Sequence, residues 1–138
     1  MDNGLISHVG VAVSDIEASS KIYSLITGIA KPEVIEVPDQ KVRVAMFGGH
    51  GSARIELVAP TSLDSPVAKF IAKRGEGLHH ICILVDDLGS MLEELKSSGI
   101  RLIDEEPRIG AGGVKIAFVH PSSAGGVLLE LEERAPGK

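Results

Sequence analysis

The chain repeats itself, and this limits its fold more than any other feature. "SHVGVAVSDIEASSKIYSLITGI" (Ser7 to Ile29) lies over "HHICILVDDLGSMLEELKSSGI" (His79 to Ile100). His8 falls on His80, Val13 on Val85, Asp15 on Asp87 and, after a one-residue slip, Gly28 on Gly99. Later, "ARIELVAP" (Ala53 to Pro60) matches "VLLELEER" (Val127 to Arg134), with Glu56 on Glu130. The histidines are 72 residues apart and the glutamates 74. A period this long in two copies reads as duplication within one domain rather than as a solenoid. The expectation is a single domain over residues 1–138, with module one at about 5–60 and module two at about 78–133. "TSLDSPVAKFIAKRGEG" joins the copies.

Each copy reads as strand, helix, then strands. "HVGVAV" alternates and is β-branched, Asp15 caps a helix that runs to about Ile26, and Gly28 stops it. "KPEVIEVP", "KVRVAMF" and "ARIELVA" follow as strands. In the second copy Asp87 caps a helix to about Ser98, Gly99 stops it, and "VKIAFVH" and "GVLLELE" are strands. "GGHGS", "RIGAGG" and "HPSSAGG" supply the turns. The fold class is therefore α+β: duplicated β-α-β-β-β modules.

Strand parity assigns the faces, because side chains alternate with period two. Val9, Val11 and Val13 share the face expected to meet the helix, and His8 lies opposite with small neighbours, Gly10 and Ala12. Ile81, Ile83 and Val85 repeat that pattern and leave His80 with Cys82 and Leu84. Glu56 lies opposite Ile55 and Leu57, and Glu130 opposite Leu129 and Leu131. Two histidines and two glutamates at duplicated positions can thus project into one cavity. That donor set suits a divalent transition metal, with imidazole nitrogen and carboxylate oxygen in an open octahedral site. A glutamate buried in an aliphatic strand needs a compensating charge, and a cation provides one. Taken singly, a histidine opening a strand or a glutamate within one is ordinary surface chemistry; the coincidence in both copies is what raises the metal reading.

Composition removes several functions. A net charge of −5 and few aromatic residues give no basic stripe or stacking platform for nucleic acid. No run reaches membrane-spanning length and the N-terminus lacks a basic, apolar leader, so a soluble cytoplasmic chain is expected. Cys82, the single cysteine, forbids an internal disulfide and reads as core. His79 points away from the His80 face; His50 reads as a turn residue, and His120 ends a strand. "GAGG" precedes a strand rather than a helix, which fails the dinucleotide fingerprint and leaves only an anion nest open. Lys69, Lys73 and Arg74 read as a solvated helix end, with phosphate binding as the alternative.

With His8, Glu56, His80 and Glu130 in hand, the duplicated unit resembles the vicinal oxygen chelate superfamily, which implies an open, roughly eight-stranded barrel-like sheet around a metal site. Within it, "HVGVAVSDIEAS", "GEGLHHICILVDD" and "DEEPRIGAGGVKIAFVHPSSAGGVLLELEE" resemble the methylmalonyl-CoA epimerase family over about Ile6 to Glu132. The resemblance implies an acyl-CoA thioester substrate whose (2R) and (2S) epimers interconvert through an enolate. It also implies a homodimer and a divalent ion, Co2+ in the first place with Mn2+, Ni2+ or Zn2+ as alternatives. His8, His80 and Glu130 match the family's metal ligands, and Glu130 also matches a proton-transfer residue. Glu56 completes the ligand set and is the candidate second catalytic carboxylate. Val44 stands where some epimerases carry a catalytic glutamate, so either Glu56 shuttles protons as well, or a water or another residue is the second base. The rival readings are a glyoxalase I-like lactoylglutathione lyase, an extradiol dioxygenase and a non-catalytic small-molecule binder on the same fold.

Overall fold

A computed structural model describes residues 4–48 and 53–135; His50 lies outside them. The chain divides into two compact units, His8–His79 and Met1–Ser7 with His80–Lys138. Each holds one β-α-β-β-β motif, so eight strands are present among the described residues.

The first motif runs β1 (Ile6–Ala12), α1 (Ile16–Thr27), β2 (Glu33–Val37), β3 (Val42–Phe47) and β4 (Arg54–Pro60). The strand order is β2-β3-β4-β1, with β1 parallel to β4 and the other pairs antiparallel. Parallel pairing of β1 with β4 follows from the helix between β1 and the later strands, which returns the chain in the same sense. Asp15 starts α1 by accepting the Ala18 N–H at 3.1 Å, and Gly28 ends it in a left-handed conformation at φ 78°. Val13, Ile16, Ala45, Phe47, Leu57 and Ala59 form the core beneath α1, joined by Val11, Tyr23 and Ile55. The valine parity read from the sequence therefore holds at Val11 and Val13.

The segment joining the copies contains a further helix, α2 (Pro66–Arg74), capped by Ser65 and containing Lys69, Lys73 and Arg74. Phe70 on α2 stands edge-to-face against His79 at 4.8 Å, and the Arg74 guanidinium lies 5.8 Å from the Phe70 ring. His79 is accordingly an anchor for the helix.

The second motif runs β5 (Gly77–Val85), α3 (Leu88–Ser97), β6 (Arg108–Ile109), β7 (Lys115–Val119) and β8 (Leu129–Glu133), in the order β6-β7-β8-β5. Asp87 accepts the Ser90 N–H at 3.0 Å to cap α3, and Gly99 adopts φ 79° beyond its end. Val85, Leu88, Leu92, Ala117, Val119 and Leu131 make its core, with Ile83 and Leu129 against it. The two-residue strand β6 lies within "RIGAGG", where the sequence pattern predicts only a turn. It exists because Arg108 and Ile109 pair with Ile116 and Lys115. The following loop closes on itself, Gly113 N–H to Gly110 C=O and Gly110 N–H to Val114 C=O, so two of its amides are spent internally. No helix among the described residues is long and apolar enough to cross a membrane.

Candidate metal and proton-transfer residues

In the first unit, register fixes which side chains share a face. His8 pairs with Arg54, Gly10 with Glu56 and Ala12 with Val58, opposite the core residues Leu57 and Val11. Gly10 and Ala12 present almost no side chain, and this leaves room for the imidazole and the carboxylate. His8 Nε2 lies 3.6 Å from Glu56 Oε2, and both residues are buried. On β3 the residues of this face are Val42, Val44 and Met46, with Met46 opposite Glu56, because Ala45 and Phe47 belong to the helix side. β3 thus brings no acid to this face, and Val44 is itself buried.

The second unit repeats the arrangement more tightly. His80 Nε2 is 3.1 Å from Glu130 Oε1, and the two residues are only 6% and 7% exposed. Cys82 is the register partner of Glu130 on one side and Phe118 on the other. Phe118 stands edge-to-face against His80, ring centres 6.3 Å apart.

Two features of this face, Glu132 and an Arg108–Asp104 pair, have no counterpart among the residues singled out from the sequence. Glu132, two residues along from Glu130, accepts hydrogen bonds from Ser7 Oγ at 3.3 Å and Cys82 Sγ at 3.7 Å. Cys82 is fully buried and lies on the His80 face, as strand parity expects. Arg108 and Asp104 form an ion pair at 3.3 Å, with the guanidinium carbon 5.9 Å from the Phe118 ring centre. Strand parity in "VKIAFV" and "LELEE" was sufficient to find Phe118 and Glu132. Arg108 depended on β6 and had no local signal. His120 accepts the Ser122 N–H at 3.0 Å and caps a short turn.

Each unit therefore presents one buried imidazole against one buried carboxylate. An imidazole with a carboxylate neighbour is a donor pair for a divalent transition metal and, equally, a place where a proton can be taken up or held. Burial amid aliphatic strands is costly for these groups unless a charge or hydrogen bond meets them, and the donor chemistry fits a 2+ ion.

Residues 7–118 match the family described as the Glyoxalase/Bleomycin resistance protein/Dioxygenase superfamily, and the chain belongs to that superfamily. The superfamily expected from the resemblance is thereby established. The chain is 40% identical over 131 residues to the mitochondrial methylmalonyl-CoA epimerase of Homo sapiens, covering 94% of this chain and 74% of the relative. The crystal structure of methylmalonyl-CoA epimerase from Mycobacterium tuberculosis is 40% identical, with a TM-score of 0.88 over 96% of this chain and 89% of that one. A variant of Streptomyces coelicolor methylmalonyl-CoA epimerase in complex with 2-nitronate-propionyl-CoA is 34% identical, with a TM-score of 0.88 over 98% and 97% of the two chains.

Proposed function

We propose that this chain interconverts the (2R) and (2S) epimers of methylmalonyl-CoA. The observation that carries the reading is near full-length similarity to methylmalonyl-CoA epimerases, together with the buried His–Glu pair in each duplicated unit.

His8, Glu56, His80 and Glu130 are the residues that would hold a divalent ion, cobalt being the first candidate, and the two units would act as one catalytic domain. When bound, that ion would supply Lewis-acid stabilisation for negative charge gathering on the thioester oxygen. The chain's own work is proton transfer. The hydrogen on C2, between thioester and carboxylate, is acidified by both carbonyl groups. Glu130 takes it as a proton, the C–H electron pair becomes the enolate, and a proton delivered to the opposite face of C2 completes inversion. Glu56 is the carboxylate assigned to that second face, acting as acid in one direction and base in the other. A homodimer in the cytoplasm completes the proposal.

The test is exchange. Protein stripped of metal and reloaded with cobalt is incubated with methylmalonyl-CoA in heavy water, and deuterium at C2 is read by mass spectrometry. Metal-dependent incorporation supports the reading. Loaded protein that leaves C2 protonated overturns it and directs attention to glutathione hemithioacetals.

A further inference from the structure

The polar face of the second unit carries a cation that the proposed mechanism does not use. Arg108 on β6 pairs with Ile116 on β7, which pairs with Glu132 on β8. Registered residues share a face, so Arg108 belongs with His80, Cys82 and Glu130 rather than with the α3 side where Leu88, Leu92 and Ala117 pack. A surface arginine at a sheet edge would ordinarily extend into water. This one turns inward: its guanidinium carbon is 5.9 Å from the centre of the Phe118 ring. That ring is the bridge to the candidate chemistry, since Phe118 is the register partner of Glu130 and stands 6.3 Å from the His80 ring.

Asp104 fixes the placement. One of its oxygens lies 3.3 Å from Arg108 Nη1, and the other accepts the Phe118 backbone N–H at 2.8 Å. The Asp104 side chain is 13% exposed and that of Arg108 34%, so a well-anchored carboxylate holds a guanidinium that still meets solvent. An isolated ion pair at a sheet edge adds little to stability. A guanidinium positioned by a carboxylate and a ring can, in contrast, meet a planar oxyanion through paired N–H donors.

We propose that Arg108 recognises the free carboxylate of a 2-carboxyacyl thioester and thereby sets substrate specificity; this rests on the epimerase reading. The choice of anion follows from distance along the substrate. The carboxylate is bonded to the very carbon whose proton Glu130 removes, whereas the nucleotide phosphates lie a whole pantetheine chain away. Arg108 is one ring removed from His80 and Glu130, which favours the near anion.

Calorimetric titration of cobalt-loaded protein with malonyl-CoA and with propionyl-CoA, which differ only in that carboxylate, tests the assignment. Wild type is expected to favour malonyl-CoA by tenfold or more. Arg108→Gln should weaken malonyl-CoA about tenfold with propionyl-CoA unchanged, and Arg108→Lys should recover part of the preference. Equal weakening of both ligands in Arg108→Gln overturns the proposal in favour of phosphate contact or a structural role. An unchanged preference overturns it in favour of a plain Asp104 ion pair. Wild-type exchange at C2 separates the two readings. Exchange with an Arg108-independent preference leaves the epimerase reading standing, whereas no exchange and no preference removes both.

Discussion

His80 Nε2 and Glu130 Oε1 lie 3.1 Å apart, side by side on one sheet face and both buried. A carboxylate in such a position gives its proton-transfer capacity to whatever sits above that face, and an amide of the same shape does not. Glu130→Gln is expected to lower C2 deuterium exchange by about 10²–10⁴-fold, the usual range for a positioned acid or base. Far-UV circular dichroism should stay that of the wild type.

Glu56 faces the opposite test, because β3 offers Val44 and Met46 on its face and no acid. Glu56→Gln should slow conversion of (2R) and of (2S) substrate alike, measured by coupled assay from each pure epimer. Unchanged turnover in both directions would assign the second proton to another group.

Metal loading should be visible in stability as well as in activity. Cobalt at 100 times its Kd stabilises the folded state by about 2.7 kcal/mol through mass action. For a chain of this size that is a Tm rise on the order of 5–10 °C. Differential scanning fluorimetry with and without chelator measures it. His8→Ala and His80→Ala should each abolish most of the rise.

The helix caps are duplicated with the ligands, and they are accessible to independent measurement. Asp15→Ala removes the acceptor for the Ala18 N–H and should cost about 1 kcal/mol in chemical denaturation, with Asp15→Asn nearly neutral. At the other cap, the Ser90 backbone N–H and then the Ser90 hydroxyl hold the Asp87 carboxyl below its ordinary value of 3.8. Its folded pKa is thus below the unfolded one, so its stabilisation is whole above the unfolded pKa and is lost as pH falls through the folded one. Asp87→Asn should flatten the stability profile in that acid window only.

Gly110 is a packing test. A methyl group there would stand 2.8 Å from Ile116 Cδ1 and 3.0 Å from Cγ2, and Ile116 is buried. Gly110→Ala is expected to destabilise by about 1–3 kcal/mol through overpacking, read from urea midpoints. Because Ile116 lies between Arg108 and Glu132 in register, malonyl-CoA affinity should fall with it.

Much of the molecule was written in local pattern. Period-two alternation in "HVGVAV" and "HICILV", Asp at each helix start and Gly28 and Gly99 at the ends define both motifs without tertiary information. Duplication then selected His8, Glu56, His80 and Glu130 from five histidines and nineteen acidic residues, because a pattern repeated at equivalent positions is improbable by chance. Parity also told which of them face away from the helices, since alternation is a property of the extended backbone itself.

What parity did not supply is the register between strands, and register decides neighbours. That Cys82 and Phe118 flank Glu130, or that Glu132 accepts from Ser7 and Cys82, depends on pairings between residues far apart in sequence. β6 is the clearest case: two residues are too short a run to show alternation, and pairing with Lys115 and Ile116 makes them a strand. Arg108 owes its place on the polar face to that pairing, and its inward turn to Asp104, whose other oxygen is held by the Phe118 backbone. Local pattern and duplication are enough to define the modules, their caps and the four candidate ligands. Which cation, ring and thiol surround His80 and Glu130 follows from backbone hydrogen bonds between distant segments, rather than from local preference, because those bonds set the distances.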